Sequence, residues 1–119
     1  MPCILLVDDD PQILKLFDKI LTKGGYTVIG TNSGDSALKV LDGKESVDLM
    51  VLDLSMPQPD GFEVLKSARL KRPGLRILVI SGWMGGTLLK PAKMLGATAS
   101  LDKTAAPKKL LQTVNDLLR

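Results

Sequence analysis

The chain of 119 residues contains no histidine and only one cysteine, Cys3. Without histidine the protein cannot build a histidine-based catalytic triad, and most types of zinc site are excluded. Cys3 has no partner for an internal disulfide, and its place in an apolar run predicts a buried structural thiol in a reducing cytoplasm. No apolar stretch is long enough to span a bilayer, and the residues at the N-terminus do not resemble a signal peptide. These absences favour a cytoplasmic protein.

Sequence motifs for binding nucleotides and nucleic acids are also missing. No Gly-x-Gly-x-x-Gly motif or P-loop follows an apolar run, which disfavours a nucleotide-binding module. The net charge is +3, but Lys and Arg do not form a dense run, so direct nucleic-acid binding is not expected. Lys15, Lys19 and Lys23 share one face of a predicted helix; we interpret them as a solvated face, with docking of an acidic partner as the alternative.

The composition and patterning predict one globular α/β domain that covers residues 1–119. Short apolar runs predict five strands, at residues 3–7, 26–29, 48–52, 76–80 and 99–101. Caps and helical spacing predict helices after Asp10, Ser33 and Asp60, a short helix at residues 90–95, and a last helix from Pro107. This alternation indicates a parallel sheet with helices on both faces.

Polar residues follow three of the predicted strands directly. Three aspartates at residues 8–10 follow the first strand, Asp53 follows the third, and Ser81 follows the fourth. In an open α/β sheet, the ligand site lies just beyond the carboxyl ends of the strands. If the strands are neighbours, the acidic groups meet there and need a cation. Asp10 precedes Pro11 and is better explained as a helix cap, which leaves Asp8 and Asp9 for a metal.

The joint order and spacing of these motifs resemble the receiver domain of two-component response regulators. The matching motifs are residues 4–11, residues 53–57 with Asp60-Gly61, Ser81-Gly82, Gly96-Ala97 and Lys103. The resemblance covers essentially the whole chain. It implies a flavodoxin-like, doubly wound (βα)5 sheet with strand order 2-1-3-4-5.

The resemblance also implies a role for each acidic residue. Asp53 matches the phosphoacceptor, and a carboxylate can attack phosphorus without deprotonation by a base. Asp8 and Asp9 match the acidic pair that holds Mg²⁺, an ion that prefers hard oxygen ligands. Asp9 and Asp53 would bind Mg²⁺ directly, Asp8 would bind it through water, and Ser55 would offer its backbone carbonyl.

Two further residues match groups that contact the phosphoryl group in the family, Lys103 through its charge and Ser81 through its hydroxyl. The implied phosphodonor is a sensor histidine kinase or a histidine phosphotransfer protein. The domain would not be an enzyme with other substrates, because it would catalyse only its own phosphorylation and dephosphorylation. The last helix ends with the chain, so no output domain is expected in these residues. The sequence leaves open whether the domain forms a homodimer on phosphorylation.

The sequence departs from the family pattern around Lys103. Thr104 follows it where most members have a proline joined by a cis bond, and Ser100 stands where most have an aromatic ring. Trp83 lies at the rim of the predicted site, where it would hinder access of water, contact a partner or remain an exposed loop residue. Thr104 and Ser100 support an alternative, a pseudo-receiver that keeps the fold for interactions without phosphotransfer, although the intact set of acidic residues speaks against it.

An enzyme of another class is the second alternative. Haloacid-dehalogenase-like phosphatases also place acidic residues after a first apolar strand, and there the nucleophile would be Asp8. That class needs a further acidic motif near its end, for which this chain offers only Asp102, and the chain is short for it. Whether Asp53 or Asp8 becomes phosphorylated separates the two classes.

Overall fold

The structure is a computed structural model that describes residues 1–56, 61–82 and 95–119. Its strands are β1 (Cys3–Val7), β2 (Thr27–Thr31), β3 (Leu49–Asp53), β4 (Arg76–Ser81) and β5 (Ala99–Asp102). The helices within these residues are α1 (Pro11–Lys23), α2 (Gly34–Asp42), α3 (Gly61–Lys71) and α4 (Ala106–Leu117). The predicted Asp60 cap and, apart from residue 95, the predicted helix at residues 90–95 lie outside the described residues.

All five strands are parallel and follow the order β2-β1-β3-β4-β5, which confirms the predicted topology. β3 lies at the centre, with β1 and β4 as its neighbours. Each residue of β3 is buried, as expected for a parallel strand that helices cover on both faces. The carboxyl ends of β1, β3 and β4 therefore open at the same edge of the sheet, where the predicted site residues lie.

Two clusters of buried apolar side chains, one on each face of the sheet, form the core. One cluster lies under α2 and α3, where Leu65 packs on the sheet. The other lies under α1 and α4, where Phe17 and Leu110 are almost completely buried. Because both faces are covered, the position of each strand end is fixed by packing on two sides. No helix of the described residues is both long and apolar enough to cross a membrane.

Two helix caps agree with the sequence prediction and one of them bears on the site. The Asp10 side chain accepts a hydrogen bond from the Gln12 N–H at 2.9 Å, and Pro11 begins α1. Ser33 caps α2 by accepting from the Ser36 N–H at 3.1 Å. Because Asp10 serves as a cap, the two aspartates before it are the ones available at the strand end.

The predicted boundaries of four strands need correction. β2 begins at Thr27 and not at Tyr26, because the positive φ of Gly25 (97°) turns the chain and Tyr26 N–H still bonds to the carbonyl of Leu21. β2 ends two residues later than predicted, at Thr31. β3 is shifted by one residue, to Leu49–Asp53, and β4 and β5 each end one residue later than predicted. Asp53 and Ser81 are therefore the last residues of their strands and share the strands' rigidity.

The prediction that Cys3 is buried is wrong, because its side chain is only partly buried. Cys3 is the first residue of β1, and its N–H donates to Asp48 Oδ2 at 2.7 Å. Partial burial, together with the negative charges of Asp48 and Glu45, raises the pKa of the Cys3 thiol. The thiol is therefore protonated and unreactive at neutral pH.

Candidate functional site

Asp53 is the centre of the site because it ends the central strand. Its side chain is only 2% exposed, and both carboxylate oxygens have partners. Oδ1 accepts a hydrogen bond from the Ser55 N–H at 2.9 Å, in the turn that follows β3. Oδ2 lies 3.1 Å from the ammonium nitrogen of Lys103. These contacts fix the orientation of the carboxylate at the open edge of the sheet.

Asp8 and Asp9 bring two more carboxylates to the same place. Asp8 directly follows β1, is 2% exposed, and accepts from the Asp10 N–H at 2.9 Å, whereas Asp9 is exposed. One carboxylate oxygen from each of Asp8, Asp9 and Asp53 lies within 4.8 Å of the other two. The structure thus brings together the three acidic residues that the sequence predicted as metal ligands.

The crowding of these acids changes the proton affinity of Asp8. Burial, with repulsion from Asp53 and Asp9, raises the pKa of Asp8 to about 6, although the Asp10 amide and Lys103 oppose the change. Burial alone would lower the pKa of Lys103, but attraction by Asp53 and Asp8 outweighs it and raises that pKa. The one ammonium group pairs with two of the three clustered carboxylates, so the site has an excess of negative charge that a divalent cation would balance.

Lys103 reaches the acids from the end of β5. Its N–H donates to the Ser81 carbonyl at 3.0 Å, which extends the β4–β5 pairing by one bond. Its aliphatic stem passes over Gly82, so closely that a Cβ on Gly82 would lie 3.1 Å from the Lys103 Cβ. The ammonium nitrogen is then 3.1 Å from Asp53 Oδ2 and 3.7 Å from Asp8 Oδ2.

The remaining predicted residues are placed at the same edge or outside the described part of the chain. Ser81 is the last residue of β4 and is 1% exposed, beside the strand that carries Asp53. Ser55 lies in the turn after β3 with its amide bonded to Asp53. Ser100 lies on β5 with an exposed side chain, so that position offers no buried ring. Trp83 falls outside the described residues.

Gly61 is a structural requirement of the site that the sequence analysis did not identify. A Cβ at this first residue of α3 would lie 2.4 Å from Leu54 Cα and 2.7 Å from the Asp53 carbonyl oxygen. Contacts this short with backbone cannot be relieved by a side-chain rotation. The start of α3 thus packs directly on the backbone that carries Asp53. The only signal in the sequence was the glycine itself, as part of the loop motif.

Asp102 also has a role that the sequence analysis missed. Its Oδ1 accepts hydrogen bonds from the Thr104 N–H at 2.9 Å and from the Thr104 hydroxyl at 2.7 Å. The hydroxyl and then the amide of Thr104 lower the pKa of Asp102 by bonding to its charged form. These contacts organise the loop where a proline was expected. A local Asp-x-Thr pattern was a usable signal for such a turn.

The donor set fits Mg²⁺. Three carboxylates supply hard oxygen ligands at one point, two of them buried and one exposed to water, and Mg²⁺ usually combines a few carboxylates with several waters. Softer metals favour histidine nitrogens or cysteine thiolates as ligands, and neither is present among these three residues.

Comparison with known proteins decides the family. The model of the response regulator receiver domain matches residues 4–115. The chain belongs to this family. It is 34% identical to the Escherichia coli transcriptional regulatory protein GlrR over 97% of this chain but only 26% of GlrR. This receiver domain therefore spans about a quarter of the length of that relative, and the function of the longer protein does not follow from the match.

Solved structures of receiver domains have the same fold. A CheY-like receiver domain protein from Methanospirillum hungatei superimposes with a TM-score of 0.91, at 29% identity, over 99% of this chain and 94% of that one. The response regulator TrrA of Thermotoga maritima, solved in complex with Mg²⁺–BeF, gives a TM-score of 0.86 at 29% identity, over 99% and 100% of the two chains. The expected family and the flavodoxin-like fold are confirmed.

Proposed function

We propose that this receiver domain accepts a phosphoryl group on Asp53 in a Mg²⁺-dependent reaction, and that residues 1–119 act as a single unit. One observation carries the proposal: the buried carboxylate that ends the central strand has an ammonium group at 3.1 Å and two further carboxylates within 4.8 Å. A structural ion pair would need only Lys103 and Asp53. The additional acids cost stability unless they bind a cation, which supports a functional role.

The chain's own groups prepare Asp53 for the transfer. The Ser55 N–H holds one carboxylate oxygen and Lys103 holds the other, so the carboxylate presents a fixed direction to a phosphodonor. A carboxylate oxygen attacks phosphorus, the new O–P bond forms, and the P–N bond to a phosphohistidine donor breaks. The departing imidazole nitrogen keeps the electron pair of that bond. No proton leaves Asp53, because the attacking carboxylate carries none.

Charge is the main obstacle, because an anionic carboxylate must meet an anionic phosphoryl group. Lys103 can move its contact from Asp53 to the phosphoryl oxygens, since its ammonium is already within hydrogen-bonding distance of the acceptor. Ser81 supplies a hydroxyl at the neighbouring strand end. Asp8, Asp9, Asp53 and the carbonyl of Ser55 would hold Mg²⁺, which when bound offsets the negative charge of the carboxylates and the phosphoryl oxygens.

The partner and the type of activity follow from this chemistry. The phosphodonor in this proposal is a sensor histidine kinase or a histidine phosphotransfer protein in the cytoplasm. The domain would catalyse only its own phosphorylation and dephosphorylation, because its site presents a nucleophile that becomes part of the product. A longer protein that contains this chain would read the phosphorylated state.

Intact-mass measurement with acetyl phosphate tests the proposal. Wild-type protein with Mg²⁺ should gain one phosphoryl group, and the gain should disappear with EDTA or in Asp53→Asn. Asp10→Asn is the matched control, because it removes a nearby charge while asparagine still caps α1. Wild-type protein that binds Mg²⁺ but never gains mass would contradict phosphotransfer and favour the interaction-only alternative.

A further inference from the structure

The turn that carries Lys103 is closed by side chain as well as by backbone. After β5 ends at Asp102, the Ala105 N–H donates to the Asp102 carbonyl at 3.0 Å, which makes a four-residue turn. The Asp102 side chain folds back over the same turn and accepts from the Thr104 N–H at 2.9 Å. An aspartate at the first position of a turn commonly makes such a bond.

Thr104 strengthens the closure with its hydroxyl, which donates to the same Asp102 oxygen at 2.7 Å. We call these two residues and their two side-chain bonds the Asp102–Thr104 clasp. Both bonds reach a charged acceptor, which makes them stronger than bonds between neutral groups. Lys103 is the residue that the clasp encloses.

The clasp serves the turn and not the helix that follows. α4 begins at Ala106, and its cap residue Ala105 has no side-chain hydrogen bond. The Ala106 N–H bonds instead to the Lys103 carbonyl at 3.3 Å, and the Lys108 N–H bonds to Ala105 at 3.2 Å. Asp102 therefore makes none of the usual capping contacts of an aspartate before a helix.

Lys103 needs this support because a lysine side chain is long and flexible. Its four-carbon stem loses rotamer entropy when it is fixed, so its direction depends on how well the backbone is held. The amide of Lys103 is tied to Ser81 at 3.0 Å on one side, and the clasp holds the next residue on the other. Together these contacts aim the stem over Gly82 toward Asp53.

We propose that Asp102 is a positioning residue for phosphoryl transfer, which through its clasp with Thr104 keeps the Lys103 ammonium at Asp53. Asp102 itself is exposed and contacts neither Asp53 nor Asp8, so it acts only through Lys103. This inference rests on the proposed function, because it assigns a residue to the same reaction.

Substitutions can separate the hydrogen bonds of Asp102 from its charge. Asp102→Ala removes both bonds and the charge, whereas Asp102→Asn removes the charge but keeps an oxygen that can accept from Thr104. Thr104→Val removes the hydroxyl bond alone and leaves the amide bond. Each variant is measured for the rate of phosphorylation by acetyl phosphate and for Mg²⁺ affinity by thermal shift, with the melting temperature in EDTA as a check on folding.

We expect phosphorylation to slow about three- to tenfold in Asp102→Ala, from the loss of one or two hydrogen bonds, less in Thr104→Val, and least in Asp102→Asn. Mg²⁺ affinity should be unchanged or higher in Asp102→Ala, because the ligands remain and the competing ammonium is less well placed. A wild-type rate in Asp102→Ala would overturn the inference. So would a parallel loss of rate and Mg²⁺ affinity, since that indicates a general structural role. If wild-type protein itself takes up no phosphate, the proposed function fails first.

Discussion

Lys103 lies 3.1 Å from Asp53 although the two residues are 50 positions apart in the chain. The contact exists because β4 separates β3 from β5 in the sheet, and the lysine side chain crosses over the end of β4 at Gly82. The glycine leaves room for the stem, and the ammonium then sits among the acids. The strand order of the fold thus determines which basic residue can reach the acceptor.

Removal of the Lys103 ammonium should have opposite effects on the two ligands of the site. In Lys103→Ala we expect phosphorylation by acetyl phosphate to slow roughly 10- to 100-fold, the range for loss of a hydrogen bond to a charged group. Mg²⁺ should bind more tightly, because a competing positive charge has gone. Lys108→Ala, which removes an exposed lysine of α4, is the control. Equal rates in Lys103→Ala and wild type would show that the lysine takes no part in the transfer.

Mg²⁺ should stabilise the protein against heat, because it binds the folded arrangement of Asp8, Asp9 and Asp53 and not the unfolded chain. The melting temperature should rise with Mg²⁺ in the millimolar range. Asp9→Asn should reduce the rise, since it removes one of the three carboxylates, and Asp10→Asn should not. If Mg²⁺ does not change the melting temperature of the wild-type protein, the metal site is wrong.

The effect of pH should reveal the raised pKa of Asp8, which comes first from burial and then from repulsion by Asp53 and Asp9. Its pKa is raised to about 6 in the folded protein, against an ordinary value of 3.8, so the folded state holds a proton that the unfolded chain has lost. The contribution of Asp8 to the free energy of unfolding therefore falls as pH rises from about 4 to 6. Urea unfolding in EDTA should show this loss in wild type and not in Asp8→Asn.

Mg²⁺ binding should weaken below pH 6, because the proton on Asp8 competes with the metal. A Mg²⁺ affinity that is independent of pH between 5 and 7 would contradict this.

The close approach at Gly61 makes it sensitive to the smallest substitution. Gly61→Ala should lower the free energy of unfolding by about 1–3 kcal/mol, because the added methyl group overlaps the backbone at Leu54. The displaced backbone also carries Asp53, so phosphorylation should slow as well. Gly74→Ala is the matched control, since a Cβ there has no atom within 4 Å. Chemical denaturation of both variants checks the prediction, and equal stabilities would refute the contact.

The three acidic residues could be predicted from where apolar runs stop, whereas the strand order was predicted from the resemblance to receiver domains. An apolar run predicts a buried strand, and the aspartate that follows it, Asp8 or Asp53, marks the polar end of that strand. The contacts of Gly61 could not be foreseen, since they depend on how closely α3 approaches the end of β3. The clasp of Asp102 is local, and the Asp-x-Thr pattern was a usable signal for it.

Two further errors, at Cys3 and Tyr26, lie at the amino ends of strands. Cys3 looked buried from its apolar neighbours, but it is the first residue of β1 and is only partly buried, whereas the four residues after it are buried. Tyr26 looked like a strand residue, but its hydroxyl donates to Asn115 of α4 and β2 begins one residue later. The bonds of Cys3 to Asp48 and of Tyr26 to Asn115 join residues far apart in the chain, which a local pattern does not contain, whereas the turn at Gly25 that delays β2 is local.

The most direct test of the account is to locate the phosphoryl group. Protein treated with acetyl phosphate and Mg²⁺ can be reduced with borohydride, which converts an aspartyl phosphate into a stable product, and then mapped by peptide mass spectrometry. The account predicts modification of Asp53 alone, with Asp8 and Asp9 unchanged. Modification of Asp8, or none at any aspartate in protein that binds Mg²⁺, would contradict it.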